Sequence, residues 1–267
     1  MNNISRILND KRQNSSCALI PFITAGFPNL DLTIQALYTL DNQGADLIEL
    51  GIPYIDALAD GPLIQKSSNV ALKQGVYIDQ VLSILNFVSS NINAPIIIFS
   101  YYNPILVRGI ELFIYEISVA GAKGLIIPDL PLEETDELIS YCLFYDIELI
   151  LFIAPTSSYD RISTILSKSP GCLYLVSTTG VTGIRNHVNK KLDSLSKYIK
   201  SKSDKSVMLG FGISNTQQAA EVSSLNIDGV VMGSAFINIL SDSNLSNSDI
   251  IDKLGDFCKD IKSSINF

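Results

Sequence analysis

Leu47-Ile48-Glu49-Leu50-Gly51-Ile52-Pro53-Tyr54-Ile55-Asp56-Ala57-Leu58-Ala59-Asp60-Gly61-Pro62 runs from strand to loop to helix start without a break. The first five residues are apolar apart from one carboxylate, Glu49. Glycine and proline then punctuate a loop that delivers Asp56 and Asp60. Pro62 is suited to the first turn of a helix. Strand, loop and helix in that order form one unit of a parallel sheet. A carboxylate inside an apolar strand is costly to bury. Such a group has a partner or a chemical task. Two carboxylates facing one pocket from different environments can divide acid and base roles. The plainer alternative is a glutamate at a solvated strand end followed by ordinary loop aspartates.

The same unit recurs along the chain. Apolar, β-branched runs occupy 18–23, 47–51, 95–101, 124–128, 148–154, 173–177, 207–211 and 229–233. They are apolar almost throughout, as in parallel strands covered on both faces. Helical spacing lies between them, for example Leu32-Ile34-Ala36-Leu37-Leu40 and Leu112-Phe113-Ile117-Ala120. Asp31 and Ser214 are candidate helix caps. Gly44 and Gly121 stand where helices should stop. Eight strand–helix units over 267 residues predict a single (β/α)8 TIM barrel spanning 1–267. A short N-terminal helix over 4–11 would cap its floor. The rival is an open doubly wound sheet, but no G-x-G-x-x-G follows the first strand. Two strand-to-helix connections look long, 52–63 and 178–191. Both belong to the face where barrel active sites are built.

Composition narrows the function. The chain is 47% hydrophobic and 17% charged, with a net charge of −8. No basic stripe exists for nucleic acid or an anionic membrane. The most basic stretch, 189–205, is broken by Asp193 and Asp204 and reads as a solvated helix face. No apolar run approaches a membrane span, and the N-terminal residues lack the apolar core of a signal peptide. Cys17, Cys142, Cys172 and Cys258 show no metal or redox spacing and read as reduced core thiols. These features together predict a cytoplasmic chain. A bias toward Ile, Asn, Ser and Lys, with no Trp, is compatible with an organelle genome and hence a plastid stroma.

Three glycine motifs follow the last strands: Gly180-Val181-Thr182-Gly183, Gly210-Phe211-Gly212-Ile213-Ser214 and Met232-Gly233-Ser234-Ala235. Glycine lets backbone N–H groups approach an anion, and a helix N-terminus adds its dipole. Each motif alone is ordinary. Three in succession at the end of a barrel predict a phosphate site. The single histidine, His187, has no strand-end serine or cysteine to pair with, so a nucleophilic triad is not expected. It also leaves little for a transition-metal site. Strand-end lysines, which Schiff-base chemistry requires, are missing. Proton transfer by carboxylates remains, with no metal and no cofactor.

The run 47–72, together with Tyr101-Tyr102-Asn103-Pro104, Ile127-Pro128-Asp129-Leu130-Pro131, Pro21–Gly26 and the glycine trio, resembles the tryptophan synthase alpha chain family over nearly the whole length. That resemblance implies a lyase cleaving indole-3-glycerol phosphate to indole and glyceraldehyde 3-phosphate. It implies a tryptophan synthase beta chain partner in an α2β2 heterotetramer. The partner would hold pyridoxal phosphate and receive the indole through a tunnel.

Residue by residue, Glu49 resembles the family's acid–base carboxylate and Asp60 the acceptor of the indole N–H. Phe22 and Tyr102 look like walls of the indole pocket, with Tyr174 beside Glu49. Gly183, Gly212, Gly233 and Ser234 match phosphate positions, Phe211 joins the substrate-binding set, Thr182 matches a lid threonine, and Asp56 a residue facing the beta chain. Ile55 and Ala57 depart from the family's usual Ser or Thr and Pro, which changes loop stiffness. The lid segment Ser177-Thr178-Thr179-Gly180 lacks an arginine that some members carry. Three other readings stand beside the leading one: a free-standing indole-releasing lyase, the synthase that makes indoleglycerol phosphate, and a non-catalytic barrel supporting its partner.

Overall fold

The computed structural model describes residues 3–176, 185–210 and 212–266, with backbone only for 185–190. Eight parallel strands are seen among them. They are β1 (Ala18–Thr24), β2 (Ile48–Gly51), β3 (Ile96–Phe99), β4 (Gly124–Ile126), β5 (Glu148–Ile153), β6 (Leu173–Val176), β7 (Val207–Gly210) and β8 (Gly229–Met232). They pair in chain order and close, β8 returning to β1. The expected (β/α)8 barrel is the fold.

The helices are α1 (Asn3–Gln13), α2 (Leu30–Asn42), α3 (Pro62–Lys73), α4 (Ile78–Val88), α5 (Tyr102–Arg108) and α6 (Ile110–Val119). They continue with α7 (Thr135–Phe144), α8 (Tyr159–Lys168), α9 (Arg185–Lys202), α10 (Thr216–Ser223), α11 (Ser234–Leu240) and α12 (Asn247–Ile265). Almost every strand residue is buried, which is why the runs read as apolar rather than alternating. The four cysteines are free and buried. No described helix is long and apolar enough to cross a membrane.

Two helix starts differ from the sequence reading. Asn29, not Asp31, caps α2, accepting from the Leu32 N–H at 2.9 Å. Asn215, not Ser214, caps α10. In both cases a nearby asparagine, two positions before Asp31 and one after Ser214, has the extended backbone that a cap requires. Gly44 and Gly121 do end helices, with φ of 95° and 104°. The connection after β6 is shorter than expected, because α9 already begins at Arg185 and takes in His187.

The N-terminal helix closes the barrel floor. Ile4 and Leu8 are wholly buried. A Cβ added at Gly124 would lie 2.4 Å from Ile4 Cδ1, and one at Gly229 would lie 3.0 Å from Leu8 Cδ2. Glycine on β4 and β8 thus makes the socket into which α1 seats its side chains. Glu148 at the start of β5 locks the plug. It accepts from the Ser5 N–H at 3.1 Å, from the Ser5 hydroxyl and from the Cys172 N–H at 2.7 Å.

Candidate active site

At the opposite mouth, Glu49 sits on β2 with 1% of its surface exposed. Its Oε1 is buried and has no hydrogen-bond partner among the described residues. Burial, and behind it the negative charge of Asp60, pushes its pKa up to about 8. At neutral pH it is therefore a protonated acid. Asp60 lies half-buried on the following loop. Burial raises its pKa to about 6, against the opposing effect of a hydrogen bond from Tyr101. At neutral pH it is mostly ionised. One segment thus presents an acid and a base side by side.

The loop that carries Asp60 is held by its own contacts. Gln65 Nε2 donates to the carbonyls of Ala57 and Asp60, each at 3.0 Å. The Asp60 N–H donates to Ala57 O at 3.1 Å. Ala57 is buried, so this departure from the family pattern packs inward. Ile55 does the reverse: it is 70% exposed and does not pack on the barrel. Asp56 and Leu58 are exposed beside it. Ile55 also lines a cavity of about 630 Å³ with Tyr54, Ile78, Asn103, Pro104 and Val107.

Phe22 on β1 links the two halves of the site. It stands in register with Glu49 on β2. A Cβ at Gly51 would come within 2.7 Å of its ring, and one at Gly233 within 3.3 Å. Its ring meets Phe99 edge-on, centroids 5.5 Å apart. Tyr174 on β6 is buried against Phe152, with centroids 4.8 Å apart. Burial, then the charges of Glu49 and Asp60, raises its hydroxyl pKa well above the usual value. Gly210 gives this ring its room, since a Cβ there would lie 1.9 Å from the Tyr174 hydroxyl.

The tyrosine that reaches the carboxylate loop is Tyr101, not Tyr102. Tyr101 is buried, and its hydroxyl donates to Asp60 Oδ2 at 3.0 Å while accepting from the Ala59 N–H at 3.1 Å. Tyr102 is half-buried at the start of α5, and its hydroxyl feels Glu134 and Glu137 instead. The reason is strand parity. Ile97 and Phe99 register with Glu49 and Gly51, so alternate residues 97, 99 and 101 share the Glu49 face. Position 102 falls outside that series. The period was present in the sequence and identifies the inward tyrosine.

Gly212 lies two residues beyond β7, Gly233 directly follows the adjacent β8, and Ser234 is exposed at the first position of α11. Gly212 has a φ of 82°, which only glycine adopts freely. Thr182, Gly183 and Phe211 lie outside the described residues, as do the segment 177–180 and the side chains of Arg185 and His187. Among the described residues no cluster of three His, Cys, Asp or Glu side chains could hold a metal.

The family model for the tryptophan synthase alpha chain matches residues 8–266. The chain belongs to the tryptophan synthase alpha chain family. It is a lyase of tryptophan biosynthesis, as the resemblance implied. It is 59% identical over 266 residues to the tryptophan synthase alpha chain of Gracilaria tenuistipitata var. liui, covering 100% of this chain and 98% of that one. Identity to the alpha chain of Synechocystis sp. (strain ATCC 27184 / PCC 6803 / Kazusa) is 47% over 266 residues and 100% of both chains. The solved alpha subunit of Legionella pneumophila str. Paris superposes with a TM-score of 0.90 at 32% identity, over 99% of this chain and 98% of that one. A tryptophan synthase chain of Mycobacterium tuberculosis matches with a TM-score of 0.89 at 28% identity, over 100% and 99% of the two.

Proposed function

We propose that this chain cleaves indole-3-glycerol phosphate to indole and glyceraldehyde 3-phosphate, with Glu49 and Asp60 moving the protons. The observation that carries the assignment is the unpartnered, buried Oε1 of Glu49 beside a second carboxylate. Cleaving the bond between the indole C3 and the glycerol side chain requires a proton on the ring carbon and loss of one from the adjacent hydroxyl. Glu49 begins protonated and gives its proton to C3. Asp60, ionised, accepts the indole N–H and stabilises the positive charge on the ring. Glu49, now a carboxylate, takes the hydroxyl proton as the C–C bond breaks. The bonding electrons return to the ring, the side chain leaves as an aldehyde, and Glu49 ends as it began.

Phe22 and Tyr174 would wall the indole, with Tyr102 at the outer rim rather than against the carboxylates. Gly212, Gly233 and Ser234, joined by Gly183, would hold the phosphate through backbone donors and one hydroxyl. Phe211 and Thr182 would complete the substrate contacts and the lid. This chain itself would use no cofactor. The exposed face formed by Ile55, Asp56 and Leu58 would receive a beta chain in an α2β2 assembly, where pyridoxal phosphate would turn the delivered indole into tryptophan.

Indole release by the purified chain, with and without a beta chain, tests the reading. Slow release that rises sharply with the partner is expected. Fast release that ignores the partner would mark a free-standing lyase. No release under either condition would overturn the assignment of Glu49.

A further inference from the structure

We infer that Tyr101 is a positioning residue for the proposed cleavage, its hydroxyl clamping the catalytic loop so that the Asp60 carboxylate is held opposite Glu49. The inference rests on the roles proposed above for these two carboxylates. Three contacts carry it. The Tyr101 hydroxyl donates to Asp60 Oδ2 at 3.0 Å, and the same oxygen accepts from the Ala59 N–H at 3.1 Å. One oxygen therefore engages both the carboxylate and the main chain of the residue before it, which leaves the Asp60 side chain little freedom to turn away. The third contact lies behind the clamp. Asp129, on the loop after β4, accepts from the Tyr102 N–H at 2.9 Å through Oδ1. That bond pins the start of α5, of which Tyr101 is the N-cap residue. Three successive loops of the barrel mouth are thereby joined, those after β2, β3 and β4.

The clamp also acts on charge. A hydroxyl bonded to a carboxylate favours its ionised form. Among the described residues, the titratable groups facing Asp60 are Glu49 from β2, Tyr101 from the end of β3 and Tyr174 from β6. Asp129 faces Tyr101 from beyond. Of these, Tyr101 donates to the Asp60 carboxylate through its hydroxyl. Burial and the neighbouring Asp60 keep its own proton firmly bound, so it remains a donor throughout the working pH range. Its removal should leave Asp60 harder to ionise and less able to accept the indole N–H.

The test is Tyr101→Phe, which keeps the ring packed on Tyr54 and Phe99 and removes only the hydroxyl. Activity is read as kcat and KM against pH, and the Asp60 carboxyl is titrated directly by NMR. The expected result is a kcat lower by roughly 10- to 100-fold, the scale of one hydrogen bond to a charged group. KM should change far less. The Asp60 midpoint and the acidic limb of the rate profile should both move upward. Asp129→Ala should reproduce part of the shift, and Asp129→Asn, which retains an accepting oxygen, should restore it. An unmoved Asp60 midpoint in Tyr101→Phe overturns the clamp, and a silent Asp129→Ala overturns the part assigned to Asp129. Glu49→Gln run alongside separates the two failures. If it stays active, the proposed function falls; if it is inactive while Tyr101→Phe turns over normally, only the clamp falls.

Discussion

The barrel holds two buried glutamates, one at each end, and they are opposites. Glu148 at the floor is fully enclosed and accepts from two backbone N–H groups and a hydroxyl. Glu49 at the mouth is equally enclosed, yet one of its oxygens has no partner among the described residues and a second carboxylate stands nearby. The two even share one register row: Glu49 pairs with Ile97, Ile97 with Gly124, and Gly124 with Glu148. Strand stagger carries that row from mouth to floor. Each end is also kept open by a glycine. A Cβ at Gly171 would sit 2.0 Å from the Glu148 carboxylate, and one at Gly210 would sit 1.9 Å from the Tyr174 hydroxyl. Burial alone therefore does not mark a catalytic carboxylate. What separates the two is whether the fold itself supplies the hydrogen bonds or leaves them for a substrate.

The sharpest way to break this contrast is to neutralise each glutamate in turn. Glu49→Gln should lower the rate of indole release by about 10³-fold or more, since the same group is proposed to serve as acid and then as base. Glu148→Gln should leave turnover within a few-fold of the parent. Comparable losses in both would mean that the floor and the mouth are one functional unit.

Stability should respond in the reverse order. Glu148→Ala leaves the Ser5 and Cys172 N–H groups buried without an acceptor and frees α1 from the floor. A loss of ~2–4 kcal/mol is expected by urea unfolding. A loss below ~1 kcal/mol would show that the apolar plug of Ile4 and Leu8 suffices without the polar lock.

A pH series sharpens the comparison further. The folded chain raises the Glu49 pKa from 4.5 to about 8. Between those values the folded state binds the proton that the unfolded state releases, so stability falls as pH rises through that window. Glu49→Gln removes the titration. The variant should gain on the parent from about pH 4.5 upward, by ~1–3 kcal/mol at pH 8.5, and the difference should level off above that. A difference that stays constant from pH 4 to pH 9 would mean that Glu49 is not buried as an acid.

How much of this was legible beforehand follows the same physics. The eight strands could be read because parallel strands covered on both faces are apolar without interruption, and Glu49 stood out against that background. Glu148 was just as anomalous in its run, but its partners, Ser5 and Cys172, lie 143 and 24 residues away, and no local pattern announces them. Sequence alone does not choose between Asn29 and Asp31 as the cap of α2, because the two are chemically alike and only backbone conformation decides. Tyr101 rather than Tyr102 bonds Asp60, and strand parity distinguishes the two. The proposed phosphate positions rest on glycine near strand ends, a signal that says where the backbone is open but not what binds there.

The smallest predicted effect concerns that last point. A Cβ at Gly233 would meet Ile64 Cδ1 and Phe22 Cδ1 at 3.3 Å each, tight but not excluded. Gly233 has a φ of −110°, so alanine meets no left-handed strain there. Gly233→Ala should therefore unfold within ~1 kcal/mol of the parent, because two side-chain ends need to move only a few tenths of an ångström. The new methyl nonetheless stands against Phe22 and Ile64 at the N-cap of α11, beside which the phosphate is proposed to bind. A rise of a few-fold in KM with kcat little changed would follow if Gly233 keeps that backbone open for the anion. If stability falls while KM holds, the glycine serves the packing of Phe22 against Ile64, and the mouth owes its shape at that point to the core rather than to the ligand.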